Sequence, residues 1–169
     1  MVERYIETFN RFRSPLVQSL WETFDMMLAS MAAALVIGLV LGFIMFMTGA
    51  GGIYKNRAVY FMTSGFVNIT RSIPFILFII VMIPVNRMIL GTGFGVDASK
   101  IPLSLIGVSL FARFTEQDLL DVNKNIFETS YAMGASTLQY FTHFLLREAR
   151  SSLVLSVTPT TVSLLSYST

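Results

Sequence analysis

Long runs of uncharged, apolar residues alternate with short polar stretches along the 169-residue chain. The strongest run extends from Met26 to Thr48 and contains no charged residue. A membrane-spanning helix needs roughly 20 such residues, so this run predicts a span. A signal peptide is the alternative, but the run is longer than an h-region and no clean cleavage signal follows it.

A second span is predicted from Ile73 to Leu90, after a half-embedded helix over residues 58–70. Pro74 falls in the first turn of this span, where its missing N–H is harmless. Pro84 lies near the other end and is expected to bend or stop the helix. Arg87 is expected to reach the interface with its long side chain.

Two further apolar runs complete the pattern. The third span is predicted to open at Ile101–Pro102 and to run past Ala112, with Arg113 near a headgroup region and the acidic residues after it solvated. The fourth runs from Ser151 to Thr169. The chain is therefore predicted to be all-α, a polytopic membrane helix bundle with about four spans.

Composition agrees with a membrane protein. Hydrophobic residues make up 54% of the chain and charged residues only 13%, whereas soluble domains carry about 25% charge. Cysteine is absent and the net charge is only +2, which argues against a disulfide framework, a thiolate metal site and nucleic-acid binding. We expect an amphipathic lead-in over residues 1–20, or a disordered tail there, and a membrane domain over residues 21–169.

Small residues recur at a spacing of four in the first span, which places them along one helix face. Such a face allows another helix to approach closely, and Gly-x-x-x-Gly is its tightest form. We predict a packing seam, either within the chain or to a second copy, formed by Ser30, Ala34, Gly38 and Gly42.

A polar segment between the third and fourth spans carries the signals of two helices joined at a glycine. Asn125 is predicted to cap the first helix, with Glu128 as its capping-box partner and near the positive end of the helix dipole. Gly134 is placed where a left-handed C-terminal residue is expected. Ser136 is predicted to cap a second helix with Gln139.

Small side chains keep the first of these helices slim, and a slim helix that projects from a membrane domain fits a groove on another protein. An ordinary interfacial helix without a partner is the alternative. The segment lies in a loop over about residues 121–148, predicted to be cytoplasmic because more basic residues then face inward. These are Lys55, Arg57, Arg71, Arg113, Lys124, Arg147 and Arg150. The candidate docking residues are Ile126, Phe127, Glu128, Thr129, Ser130, Ala132, Met133 and Gly134.

Several segments resemble the permease subunit of bacterial ABC importers, most closely the methionine-importer permeases. The resemblance covers most of the chain from Trp21 onward. Its main segments are Arg71-Ser72-Ile73-Pro74-Phe75, Met82-Ile83-Pro84, Ile101-Pro102-Leu103, Glu128-Thr129-Ser130 and Ala132-Met133-Gly134-Ala135-Ser136.

The resemblance implies a permease subunit of the bacterial inner membrane that imports methionine or a similar small amino acid. It implies a homodimer of two permease copies, two copies of an ABC ATPase subunit and an extracytoplasmic substrate-binding protein as partners. The docking helix becomes the coupling helix that the ATPase grips. No catalytic, cofactor or metal site is expected in this chain, since ATP and Mg are bound by the partner ATPase.

The sequence departs from the family pattern in its last third. Arg147 and Ser151 stand where the family has prolines, so we expect the second helix of the corner to continue straight into the fourth span. The family has a fifth span beyond a segment like Tyr167–Ser168, so we expect a C-terminally truncated member. These departures leave open a permease remnant that does not transport. A second alternative is an ATPase-independent secondary transporter, which predicts ionisable residues within the spans as ion or proton sites, and none lies well inside spans one, two or four.

Overall fold

The computed structural model describes residues 2–50, 52–123 and 125–168, with side chains from Arg13 onward. The predictions that involve Met1, Gly51, Lys124 and Thr169 lie outside these residues. The described part is helical and contains no strand. Its α-helices are α1 (Val2–Ala33), α2 (Leu39–Thr48), α3 (Arg57–Ser72), α4 (Phe75–Leu90), α5 (Val96–Leu120), α6 (Asn125–Ala132), α7 (Thr137–Gln139) and α8 (Leu146–Ser168), with π-helical segments at Ala34–Gly38 and Tyr140–Leu145.

The first span belongs to one long helix. α1 continues through the π segment Ala34–Gly38 into α2, and the helix has no break at residue 20, where the sequence analysis ends the lead-in. Its part from Arg13 to Thr48 is long and apolar enough to cross a membrane. The amphipathic start and the first span thus form a single rod.

The predicted half-embedded helix and second span correspond to a bent pair of helices, α3 and α4. Asn56 caps α3 by accepting hydrogen bonds from the backbone N–H groups of Ala58 and Val59. The chain bends by 115° between α3 and α4, around Ile73–Pro74, and only the two helices together are long and apolar enough to cross a membrane. α4 continues through Pro84 to Leu90, so the prediction that Pro84 could stop the helix is wrong.

α5 is the central helix, and it packs against α1, α2, α3, α4 and α8. It begins at Val96, and Pro102 lies in its interior. The helix therefore starts before Ile101, where the third span is predicted to begin, because Gly95, with φ of 114°, ends the preceding loop. Central burial explains why α5 lacks a clear polar face.

The small-residue face of the first helix lies against α5 of the same chain. A Cβ added to Gly42 would lie 2.5 Å from the carbonyl oxygen of Ala112, and one added to Gly38 would lie 2.9 Å from that of Val108. Only glycine permits this approach of the two backbones. The buried residues of this face are Ser30, Ala34, Gly38 and Gly42.

α8 is a long helix with many hydroxyl side chains. It continues from α7 and the π segment Tyr140–Leu145 without interruption, which confirms the expected straight run into the last span. Thr160 and Thr161 donate hydrogen bonds to the carbonyl oxygens of Ser156 and Val157, four residues earlier, both at 2.8 Å. Such internal bonds satisfy hydroxyl groups where water is absent.

Candidate functional site

The candidate site is the corner formed by α6, Gly134 and α7, directly after α5. α5 has 25 residues, so at 1.5 Å per residue its two ends lie about 37 Å apart. The corner follows one end of α5, and the loop Gly91–Gly95 precedes the other. The corner therefore lies on one side of the bundle, separated from that loop by the length of a span.

The start of α6 differs from the sequence prediction. Asn125 is the first residue of the helix and not its cap. The side-chain oxygen of Asn123 accepts a hydrogen bond from the Asn125 backbone N–H at 3.0 Å, and the Asn123 carbonyl accepts one from Ile126. Two asparagines lie within two residues of this boundary, and the spacing to Glu128 favoured the wrong one. Glu128 nevertheless lies in the first turn, where an acidic side chain is favoured by the helix dipole.

The glycine corner is a Schellman motif. Gly134 has φ of 72°, in the left-handed region. The Ala135 N–H donates to the carbonyl of Ser130 and the Gly134 N–H donates to that of Tyr131, both at 3.0 Å. These bonds satisfy the last carbonyls of α6 and give the turn a defined geometry, as the sequence analysis predicts for Gly134.

The second helix begins with a capping box, as predicted. The Ser136 hydroxyl accepts a hydrogen bond from the Gln139 backbone N–H at 3.4 Å, and the Gln139 side-chain oxygen accepts one from the Ser136 N–H at 2.8 Å. The two reciprocal bonds stabilise the start of α7, at the point where the chain changes direction.

Replacing Ser136 by alanine is expected to weaken the corner without unfolding the bundle. The loss of a serine cap costs about 1 kcal/mol, and Ser136 is exposed, so no buried group loses its partner. Amide hydrogen exchange should become faster over residues 136–140 and stay unchanged in α5. Unchanged exchange at 136–140 would show that the capping box does not stabilise this helix start.

α6 turns one face to the bundle and the other to solvent. The Ser130 side chain is buried and its hydroxyl donates to the carbonyl of Phe127 at 2.8 Å, while Ile126 packs against the apolar cluster below. Tyr131 and Met133 are 78% and 70% exposed. The remaining predicted docking residues on the exposed side are Phe127, Glu128, Thr129, Ala132 and Gly134.

An open cavity of about 580 Å³ lies between α6, the end of α2 and the π segment Tyr140–Leu145. Phe127 and Tyr140 line it, and Lys55 and Glu128 contribute charges. Burial raises the pKa of the Tyr140 hydroxyl above its usual range, so this group stays protonated and neutral at physiological pH. The cavity leaves room on one side of the contact between α6 and the bundle.

The acidic residues after Arg113 are predicted to be solvated, and that prediction is wrong for Glu116, while Asp121 is exposed as predicted. Its side chain is only 4% exposed and forms an ion pair with Arg113, with 2.6 Å between the Arg113 Nη1 and the Glu116 Oε2. Asp118 accepts a hydrogen bond from the Ser156 hydroxyl at 2.7 Å, which ties α5 to α8. The i, i+3 spacing of Arg113 and Glu116 is the signal that could have indicated a pair.

The described residues contain no group of three or more His, Asp or Glu side chains that could hold a metal ion. His143 is exposed, and its Nδ1 lies 2.8 Å from the Thr142 hydroxyl.

Comparison with known proteins agrees with this architecture. The family model described as the binding-protein-dependent transport system inner membrane component matches residues 34–169. The D-methionine transport system permease protein MetI of Escherichia coli K12 is 40% identical over 153 residues, which cover 90% of this chain and 70% of that protein. A probable D-methionine transport permease MetI of Vibrio cholerae is 35% identical over 90% of this chain and 68% of its own length.

Solved structures extend the comparison to the fold. A structure of the MetNI methionine ABC transporter in an inward-facing conformation matches with a TM-score of 0.86 at 39% identity, over 94% of this chain and 73% of that chain. An amino acid ABC transporter solved with histidines matches with a TM-score of 0.77 at 12% identity, which shows the fold alone. These findings confirm the predicted membrane helix bundle and the resemblance on which the sequence analysis relied. The chain belongs to the family of binding-protein-dependent transport system inner membrane components, the permeases of the bacterial inner membrane.

Proposed function

We propose that this chain is the permease subunit of an ATP-driven importer for methionine or a similar small amino acid. The observation that carries the proposal is the match to methionine-transport permeases, at 40% identity over 90% of the chain and at a TM-score of 0.86. Two copies of the chain form the pathway, two ABC ATPase subunits attach to its cytoplasmic side, and a substrate-binding protein delivers the amino acid from outside.

The ATPase docks on the exposed face of α6 and its glycine corner. The Schellman motif and the capping box hold this corner in one conformation, so the partner meets a preformed surface. Tyr131 and Met133 supply exposed apolar area, which is the usual anchor of a protein interface. Coupling follows if the docked corner makes different contacts in the two states of the ATPase.

ATP and Mg²⁺ belong to the ATPase in this proposal, and the chain itself is no enzyme. The full sequence contains no G-x-x-x-x-G-K-[S/T] phosphate-binding loop.

Replacing Tyr131 by alanine is expected to weaken capture of the ATPase subunit. The side chain contributes exposed aromatic area at the proposed interface, and interface aromatic residues commonly contribute at least about 1–2 kcal/mol, which corresponds to roughly a tenfold weaker association. The permease is purified from membranes with the ATPase subunit encoded beside it, and the retained ATPase is measured. Phe94→Ala is the matched control, because Phe94 is 70% exposed but lies in the loop before α5, at the opposite end of that helix.

Measurement of uptake by the assembled complex identifies the transported substrate. Proteoliposomes with the binding protein should accumulate methionine in an ATP-dependent manner. Failure of the wild-type chain to retain any ATPase would overturn the docking proposal. A complex that forms but imports none of a panel of amino acids would favour the non-transporting remnant, and import without ATP would favour the secondary transporter.

A further inference from the structure

Four aromatic rings form a continuous series from α6 to α2. The ring of Phe127 in α6 meets that of Tyr140 edge-on, with centroids 5.3 Å apart. Tyr140 and Phe141 lie 5.1 Å apart, and Phe141 meets Phe43 of α2 edge-on at 5.0 Å. The series therefore connects the candidate docking helix to the first span through direct ring contacts.

The π segment Tyr140–Leu145 makes this series possible. Its hydrogen bonds join residues i and i+5, so neighbouring side chains are separated by a smaller angle around the helix axis than in an α-helix. Tyr140 and Phe141 are consecutive and yet both are buried, at 8% and 5% exposure, in one apolar cluster. π segments inside helices frequently occur at functional sites.

The two ends of the series differ in their freedom to move. Phe127 is 41% exposed and lines the open cavity together with Tyr140, so this end has space to shift. Phe43 directly follows Gly42, whose backbone is closely packed on Ala112 and Thr115 of α5. A ring displaced against Phe43 therefore acts on a part of α2 that is held closely against α5.

We propose that Phe127, Tyr140, Phe141 and Phe43, here named the aromatic relay, transmit movement of the docked α6 to the first span. The inference rests on the proposed function, since it assumes that the ATPase grips α6. The four side chains are positioning residues: they contact neither substrate nor nucleotide, and they set how much of the ATPase motion reaches α2. Aromatic rings suit this role because edge-to-face pairs have a preferred geometry and few rotatable bonds.

Shortening the relay at either end tests the proposal in the assembled complex. Phe127→Leu and Phe43→Leu each remove one ring and keep an apolar side chain. Phe144→Leu is the matched control, because Phe144 lies in the same π segment and against the same cluster but outside the ring series. In proteoliposomes with the ATPase and the binding protein, we measure methionine uptake, ATP hydrolysis and their ratio, along with the melting temperature and the amount of ATPase retained.

Each relay variant is expected to lower the amount of methionine imported per ATP by about two- to tenfold, the range set by the loss of one aromatic contact. The control should stay within about twofold of wild type. A serial relay also predicts that the double variant Phe127→Leu/Phe43→Leu is little worse than either single variant, because one break already interrupts it. Independent packing contributions would instead multiply.

The outcomes separate the relay from the docking proposal. A wild-type chain that retains no ATPase refutes docking. A wild-type complex that imports methionine, with relay variants that keep the wild-type ratio, refutes the relay alone. The relay is equally refuted if Phe144→Leu lowers the ratio as much as Phe43→Leu, or if the variants change only the melting temperature. If Phe127→Leu also retains less ATPase, its effect on the relay cannot be separated from its effect on docking. The ratio of methionine imported per ATP in Phe43→Leu then tests the relay alone, because Phe43 lies in α2 and outside the proposed docking surface.

Discussion

Replacing Gly42 by valine is expected to leave little folded protein after extraction from membranes. A Cβ at this position would lie 2.5 Å from both the carbonyl oxygen of Ala112 and the Cβ of Thr115. The carbonyl oxygen belongs to the backbone of the central helix and cannot rotate away, so α2 and α5 must separate. Overpacking of this kind typically costs about 1–3 kcal/mol and sometimes more, and valine adds two further methyl groups beyond the Cβ.

The measurement is the yield of monodisperse protein in detergent together with its thermal unfolding temperature. Gly65→Ala is the matched control, because Gly65 lies within α3 and a Cβ there meets nothing within 4 Å. That change should leave stability unchanged or raise it by up to about 1 kcal/mol, since alanine favours a helix more than glycine does. Gly38→Ala should fall between the two, because its Cβ would lie 2.9 Å from the Val108 carbonyl oxygen. A Gly42→Val protein with wild-type yield and unfolding temperature would show that the close approach of α2 and α5 is dispensable.

The packing seam of the first helix was predictable from the sequence only in part. Its period of four identifies the helix face on which Ser30, Ala34, Gly38 and Gly42 lie, because the helix repeat fixes which residues share a face. The period does not identify the partner, because another part of this chain and a second copy fit the same spacing equally well. The structure places the face against α5 of the same chain. That partner depends on tertiary packing, which no local spacing encodes.

The corner was predictable where its signals are local. Gly134 and the Ser136–Gln139 capping box each act within a few residues, and the structure has both as predicted. The predicted role of Asn125 was wrong because Asn123, two residues earlier, has the same side chain and accepts the hydrogen bond of the Asn125 backbone N–H. The aromatic relay was missed because its four rings come from three separate elements. The capping signals at Ser136 and Gln139 predict a helix but not the π segment that follows, in which Tyr140 and Phe141 are both buried.

The burial of Glu116 was missed because a polar run after an apolar run usually marks the solvated end of a span. Arg113 lies one helical turn earlier and neutralises the carboxylate, which allows it to enter the packed interior between helices. The ion pair therefore extends the interior of α5 beyond the apolar sequence.

Replacing Arg113 by methionine is expected to destabilise the bundle more than replacing Glu116 by glutamine. Methionine keeps much of the volume of the arginine stem but leaves a carboxylate that is only 4% exposed without its cation. Removal of one partner of a fully buried pair costs about 3–5 kcal/mol, and the cost is smaller here because the Arg113 side of the pair is partly exposed. Glu116→Gln leaves Arg113, whose side chain is 31% exposed, and this longer side chain can extend its charge towards water.

The double variant Arg113→Met/Glu116→Gln distinguishes burial of a charge from loss of packing. It removes both charges and keeps similar volumes, and replacement of a whole buried pair is often close to neutral. Its unfolding temperature in detergent should therefore lie well above that of Arg113→Met, although it carries one substitution more. If the double variant is as unstable as Arg113→Met, the arginine stabilises the bundle through its packing, and the unpaired carboxylate is not the cause. If Glu116→Gln is the less stable of the two single variants, the carboxylate contributes contacts beyond the ion pair, and the unpaired carboxylate is not the larger cost.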